Sequence, residues 1–144
     1  MNIKIISDST CDLPEEVLEK YNITMVPLSV IKGGKQFTDG VNITPAEIFD
    51  HVAAGGDLCS TAALNIGEYE EVFAKYANDY DGIIHINISS EFSSCYQNAC
   101  LAAEEFENVY VVDSRNLSSG SGHLVIEAAE MVAQGLDAES IVAR

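Results

Sequence analysis

At 144 residues with 47% hydrophobic content, the chain has room for one domain with a real core and too little length for two ordinary ones. Only 7 Lys and Arg stand against 23 Asp and Glu, a formal net charge of −16, so nucleic acid and anionic membrane surfaces are repelled and no basic stripe offsets that field locally. The opening MNIKIISDST is neither a signal peptide nor long enough to span a bilayer, and no later apolar run is, so the expectation is a cytoplasmic protein with no stable membrane insertion.

In chain order, Ile3 to Ile6 reads as a short buried strand that opens into the polar cluster Ser7-Asp8-Ser9-Thr10. A helix follows, with Asp12 as its cap and Glu15 completing a capping box ahead of Val17 and Leu18. Met25 to Ile31 is β-rich, Gly33-Gly34 is a turn signal, and Lys35 to Thr38 returns as the second arm of a hairpin. Thr44-Pro45-Ala46-Glu47 predicts a helix from Pro45 to Ala54, stopped by Gly55-Gly56. Asn65 with Glu68 repeats the capping pattern ahead of Tyr69, Val72, Phe73 and Tyr76 at helical spacing. Gly82 to Ile88 is the next strand, Tyr96 to Phe106 a helix, Asn108 to Asp113 a strand, and His123 to Ala133 a helix.

Strands alternating with helices imply βαβ units, hence an α/β fold with a mainly parallel sheet and helices on both faces. Ligands of such sheets sit at the carboxyl ends of the strands. The polar clusters Ser7 to Thr10, Ser89 to Ser94 and Ser114 to Gly122 are therefore expected on one edge, with Ser60-Thr61 as a fourth member. These loops are rich in hydroxyls and carry one cation, Arg115. Hydroxyls and free backbone N–H groups hold a carboxylate or phosphate without a formal positive charge, while capping helices is the commoner task of such residues.

Two catalytic readings stand beside these: Asp8 as an acyl-phosphate nucleophile in a phosphotransferase, or Ser9 or Ser93 as the nucleophile of a serine hydrolase. Neither has a supporting motif, since no second aspartate follows Asp8 at two residues and no Gly-x-Ser-x-Gly elbow is present. Gly120-Ser121-Gly122 matches a dinucleotide loop only in part, because Val125 stands where a third glycine belongs, and close strand-to-helix packing explains the glycines equally well. Cys11, Cys59, Cys95 and Cys100 contain no Cys-x-x-Cys pair, and His51, His85 and His123 lack metal-ligand spacing, so no metal or cofactor is expected.

SDSTCDLP at Ser7 to Pro14, Ser60-Thr61 through Gly67-Glu68-Tyr69, ISSEFSSCYQNA from Ile88 to Ala99 and VVDSRNLSSGSG from Val111 to Gly122 together bracket most of the chain. In this order they resemble the DegV family. The resemblance implies the N-terminal α/β domain (residues 1–144) of a two-domain protein that encloses a long-chain fatty acid such as palmitate or oleate. It also implies a non-catalytic carrier, some members of which present the acyl chain to a separate fatty acid kinase. Thr61 and Ser93 match the hydroxyls that hold the carboxylate in the family, with Ser60, Ser94 and Ser9 as secondary candidates nearby.

The sequence departs from the family at Thr61-Ala62-Ala63-Leu64, where Thr-Ser-Gln-Pro is frequent, and at Ser93-Ser94-Cys95-Tyr96-Gln97, where Ser-Gly-Thr-Tyr-Gln is. The physics suits such a ligand, since each buried methylene contributes about 0.8 kcal/mol and only the carboxylate needs placed donors. Asp137 caps a last helix that ends at Arg144 after about two turns of 3.6 residues, so the expectation is a second domain that follows and completes the pocket. A ligand-free protein-interaction module is the alternative from another class, marked by a packed core without an elongated apolar cavity.

Overall fold

The computed structural model describes residues 1–144. It opens on β1 (Ile3–Asp8), buried at every position, followed by a 3-10 turn (Ser9–Cys11) and α1 (Glu15–Lys20). Next come β2 (Thr24–Val26), β3 (Ser29–Lys32), β4 (Lys35–Thr38), α2 (Pro45–Ala53) and β5 (Ser60–Ala62). The second half continues with α3 (Ile66–Ala77), β6 (Gly82–Asn87), α4 (Cys95–Ala103), β7 (Val109–Asp113), α5 (Ser119–Ala133) and α6 (Ala138–Val142). No helix is long and apolar enough to cross a membrane.

Four strands form a parallel sheet in the order β2-β1-β6-β7, as the alternating pattern requires. Side chains alternate across it. Ile3, Ile5, Ile84 and Ile86 pack with Val125, Ala128, Met131 and Ile141 of α5 and α6, whereas Ile6 and Ile83 pack with Tyr69, Phe73, Cys95 and Ala99 of α3 and α4. Helices thus cover both faces, and the core is two apolar layers separated by the sheet.

Three expectations are corrected. Asp12 does not cap α1: it has φ 51° as the residue closing the 3-10 turn, and α1 begins after Pro14 with no side-chain cap. The β-rich run Met25 to Ile31 is not one strand. Pro27 has no N–H to give to a ladder, and at that point the chain leaves the parallel sheet as β2 and re-emerges as β3 in a separate antiparallel sheet, β4-β3-β5. α5 starts at Ser119, inside the segment read as loop to Gly122. A Cβ on Gly122 would stand 2.7 Å from the Cys11 carbonyl oxygen, so the glycine permits close packing and needs no dinucleotide to explain it.

The local signals that proved sound are those satisfied within a few residues. Thr44 with Glu47 and Asn65 with Glu68 both form the full reciprocal capping box. Gly33 and Gly34, at φ 56° and 75°, make the two-residue turn of the β3–β4 hairpin. Asp137 caps α6 by accepting the Ser140 N–H at 2.7 Å.

Phe73 is fully buried between α3 and the sheet, while Phe49 on α2 is 72% exposed. Phe73→Ala is expected to lower the unfolding free energy by about 3–5 kcal/mol, and Phe49→Ala to change it by no more than about 0.5 kcal/mol. Urea denaturation followed by circular dichroism measures both.

Candidate functional site

Because β1, β6 and β7 are parallel, the loops that leave their carboxyl ends share one edge. Backbone bonds join them directly: Ser89 N–H to the Asn116 carbonyl at 3.0 Å, Ser114 N–H to that of Asn87 at 3.2 Å, and Ser118 N–H to that of Thr10 at 2.9 Å. Asp113 closes the set by accepting from Ser90 Oγ at 2.6 Å, Ser90 N at 3.1 Å and Arg115 N at 3.0 Å. Partial burial alone would raise the Asp113 carboxyl, but the Ser90 hydroxyl and the two N–H groups outweigh it and hold it below its ordinary range. Three of the four expected polar clusters are thus one hydrogen-bonded rim.

The fourth, Ser60-Thr61, lies on β5 of the antiparallel sheet, where Thr61 pairs with Val30 and is exposed. Successive strand residues point to opposite faces, so Ser60 and Thr61 cannot serve one ligand from the same face. Ser93 is half-buried just before α4, and its Oγ accepts the Cys95 N–H at 3.2 Å, which leaves the hydroxyl proton for an outside acceptor. Ser94 is exposed and makes no side-chain cap bond to α4. Ser9 points inward: it is buried, and its Oγ accepts the Leu28 N–H at 3.1 Å. Asn98 of α4 donates to the Leu64 carbonyl at 2.7 Å, tying the chain just beyond β5 to the helix that Ser93 precedes.

Asp8 is the most heavily bonded side chain of the molecule and is fully buried. Its Oδ1 accepts from Tyr69 Oη at 2.9 Å and His85 Nε2 at 3.2 Å, and its Oδ2 from Asn87 Nδ2 and Ile88 N, each at 2.9 Å. Donating is the role for Nε2 that an ionised carboxylate accepts. Burial by itself would push the carboxyl up, but the hydrogen bond and attraction of His85, then the Ile88 N–H and the Asn87 amide, hold it below its ordinary 3.8. Burial, with the adjacent Asp8 charge, pushes the Tyr69 phenol upward, so it stays a donor.

Both oxygens of Asp8 are therefore committed, and it offers no free lone pair to a phosphoryl donor. No serine is hydrogen-bonded to a histidine, the one side-chain bond of any histidine being His85 to Asp8. No group of three or more His, Cys, Asp or Glu side chains is placed to hold a metal.

The network of Tyr69, His85 and Asn87 was not read from the sequence. Its trace there is the alternation Ile84-His85-Ile86-Asn87, a buried strand with polar residues on one face. Asp8→Asn would set amide hydrogens against one pair of these donors, and the loss expected is about 3 kcal/mol or more. A carboxyl whose folded pKa is depressed contributes stability above its unfolded value and loses it as pH falls through the folded one. The parent's stability advantage over Asp8→Asn should accordingly shrink as pH falls below about 4. Urea midpoints of both proteins from pH 7 to pH 2.5 check this, and a constant difference would count against it.

Comparison with known proteins agrees with this architecture. A family model described as "Uncharacterised protein, DegV family" matches residues 2–144. A DegV domain-containing protein of Clostridium perfringens is 36% identical over 141 residues, which cover 96% of this chain and 50% of the relative. A Thermus thermophilus structure described as fatty acid binding of a DegV family protein superposes with TM-score 0.93 at 33% identity, over 99% of this chain and 51% of that one. A structure of a stearic acid-binding protein from Eubacterium ventriosum gives TM-score 0.87 at 31% identity, over 98% of this chain and 51% of that one. The chain spans about half the length of this Clostridium perfringens relative and of three further curated relatives. With the match unbroken from residue 2 to residue 144 and the same α/β layers superposed throughout, the chain belongs to the DegV family.

Proposed function

We propose that this domain binds a long-chain fatty acid, with the Thr61 and Ser93 hydroxyls donating to its carboxylate, and that the protein carries the acyl chain to a partner such as a fatty acid kinase without catalysing a reaction itself. The observation that carries the reading is the superposition, at TM-score 0.93, on a DegV family protein described as fatty acid binding. The exposed Thr61 and the unspent proton of the Ser93 hydroxyl support the assignment of the head group. Ser94 is the next candidate, and Ser60, on the other face of β5, is one only in place of Thr61. The buried Ser9 would act through the backbone it holds rather than by touching ligand.

An apolar cavity of about 120 Å³, partly open to solvent, lies between β6, β7, α5 and α6. A cavity of about 150 Å³ holds benzene, so a chain of palmitate or oleate length does not fit in it. The acyl chain must then lie against the domain surface and be covered by further protein. A cation brought by that further protein would offset the domain's charge of −16 at the carboxylate. The same small cavity is what favours the second reading, an interaction module with no ligand.

Mass spectrometry of lipid released from the full-length protein, followed by titration of the delipidated protein with palmitate and oleate, separates the two. The carrier releases an acyl chain and rebinds it. Thr61→Ala with Ser93→Ala should weaken binding at least about 100-fold, since each bond to a charged group is worth roughly 1.5–3 kcal/mol. Absence of both released and rebound fatty acid leaves the interaction module.

A further inference from the structure

The antiparallel sheet that carries Thr61 stands apart from the two apolar layers of the parallel sheet, since its buried residues Val30 and Ile43 belong to neither. α2, which belongs to the same excursion of the chain, buries none of its residues, and Phe49 and Leu58 are exposed. β5 is 3 residues long and pairs on one side only, with β3. Such a strand takes its position from whatever holds its ends.

One side-chain hydrogen bond holds the start of β3, on which β5 pairs, and another holds the chain just after β5. Ser9 Oγ accepts the N–H of Leu28, the residue before β3, at 3.1 Å. Asn98 Nδ2 donates to the carbonyl of Leu64, two residues beyond the end of β5, at 2.7 Å. The Leu64 side chain is buried in the same layer as Cys95 and Ala99, so carbonyl and side chain are both seated on α4. Asn98 is also bonded through its own N–H to the Ser94 carbonyl, in the first turn after Ser93. It therefore bridges the two segments whose hydroxyls would meet the carboxylate, three residues from Thr61 by way of Leu64 and five from Ser93.

We propose that Asn98 is a positioning residue: its amide sets the separation of the Thr61 and Ser93 hydroxyls and thereby the preference for a carboxylate over an uncharged head group. The inference rests on the fatty-acid reading above. A carboxylate takes two donors at one fixed spacing, and displacement of either by about 0.5 Å forfeits much of the bond. Contacts along the acyl chain tolerate the same displacement, because they are non-directional.

The test titrates oleate and oleate methyl ester into the delipidated full-length protein and its Thr61→Ala, Asn98→Ala and Thr61→Ala/Asn98→Ala variants. Asn98→Ala should weaken oleate by about tenfold and the ester by less than about twofold, and should add nothing for oleate once Thr61 is Ala. Asn98→Ser, which keeps a donor in a smaller side chain, should restore part of the acid-over-ester preference and also serves if Asn98→Ala does not fold. Equal losses for acid and ester, parent-like affinity, or an undiminished effect in the Thr61→Ala background would overturn the proposal. If the parent binds no oleate, the fatty-acid reading falls and this inference with it. If Thr61→Ala weakens oleate while Asn98→Ala and Asn98→Ser leave it unchanged, this inference alone falls.

Discussion

The buried carboxylate of Asp8 constrains the rest of the structure. An ionised carboxyl removed from water is tolerable only when its lone pairs are occupied, and here four donors converge from α3, from β6 and from the residue after it. These bonds fix the end of β1 against the end of β6 and seat Tyr69 of α3 above both. The sheet order places the reversal of strand order between these two strands, the place where open α/β sheets usually admit a ligand. In this domain that crevice is filled by its own side chains at the level of Asp8. The polar groups left open to solvent lie outward of it, in the loops and in the neighbouring antiparallel sheet.

That placement explains the chemistry of the rim. Among seven Lys and Arg, only Arg115 stands in the loops at the carboxyl edge, and no Lys or Arg side chain is paired with a carboxylate. A site for an anion in such a field must work by dipoles, and hydroxyls with their protons unspent are the groups the fold leaves there. Ser93 shows how: its oxygen takes a backbone N–H, so its proton is directed elsewhere. Ser9 accepts a backbone N–H in the same way, from Leu28, but it is buried and its hydroxyl faces no solvent. Residue type was identical at the two positions, and burial decided the role.

The two sheets differ in how they are held. The parallel sheet lies between two apolar layers, whereas the antiparallel one is tethered by side-chain hydrogen bonds at Leu28 and Leu64, with α2 lying open to solvent. The two proposed head-group hydroxyls come one from each part. A binding residue on a lightly held element has its geometry set by the tethers of that element, which is why a side chain that need not touch ligand is expected to affect recognition.

What the sequence by itself determined is what a few neighbouring residues settle. The capping boxes at Thr44 and Asn65, the Gly33-Gly34 turn, the cap at Asp137 and the alternation of strands with helices are all local, and each survives unchanged. The α/β class and the common edge for three polar loops follow from that alternation by topology alone. Only the tertiary structure decided matters in which distant residues compete. Asp12 lost its cap because the turn before it closes in a left-handed conformation, and Met25 to Ile31 was divided because two sheets claimed its halves. Asp8, legible as a polar residue after a strand, became the centre of a closed network only when Tyr69, His85 and Asn87 arrived from up to 79 positions away. Likewise Asn98 carries no signal in the sequence, since its partner is a backbone carbonyl 34 residues earlier, and backbone groups look alike until the chain is folded.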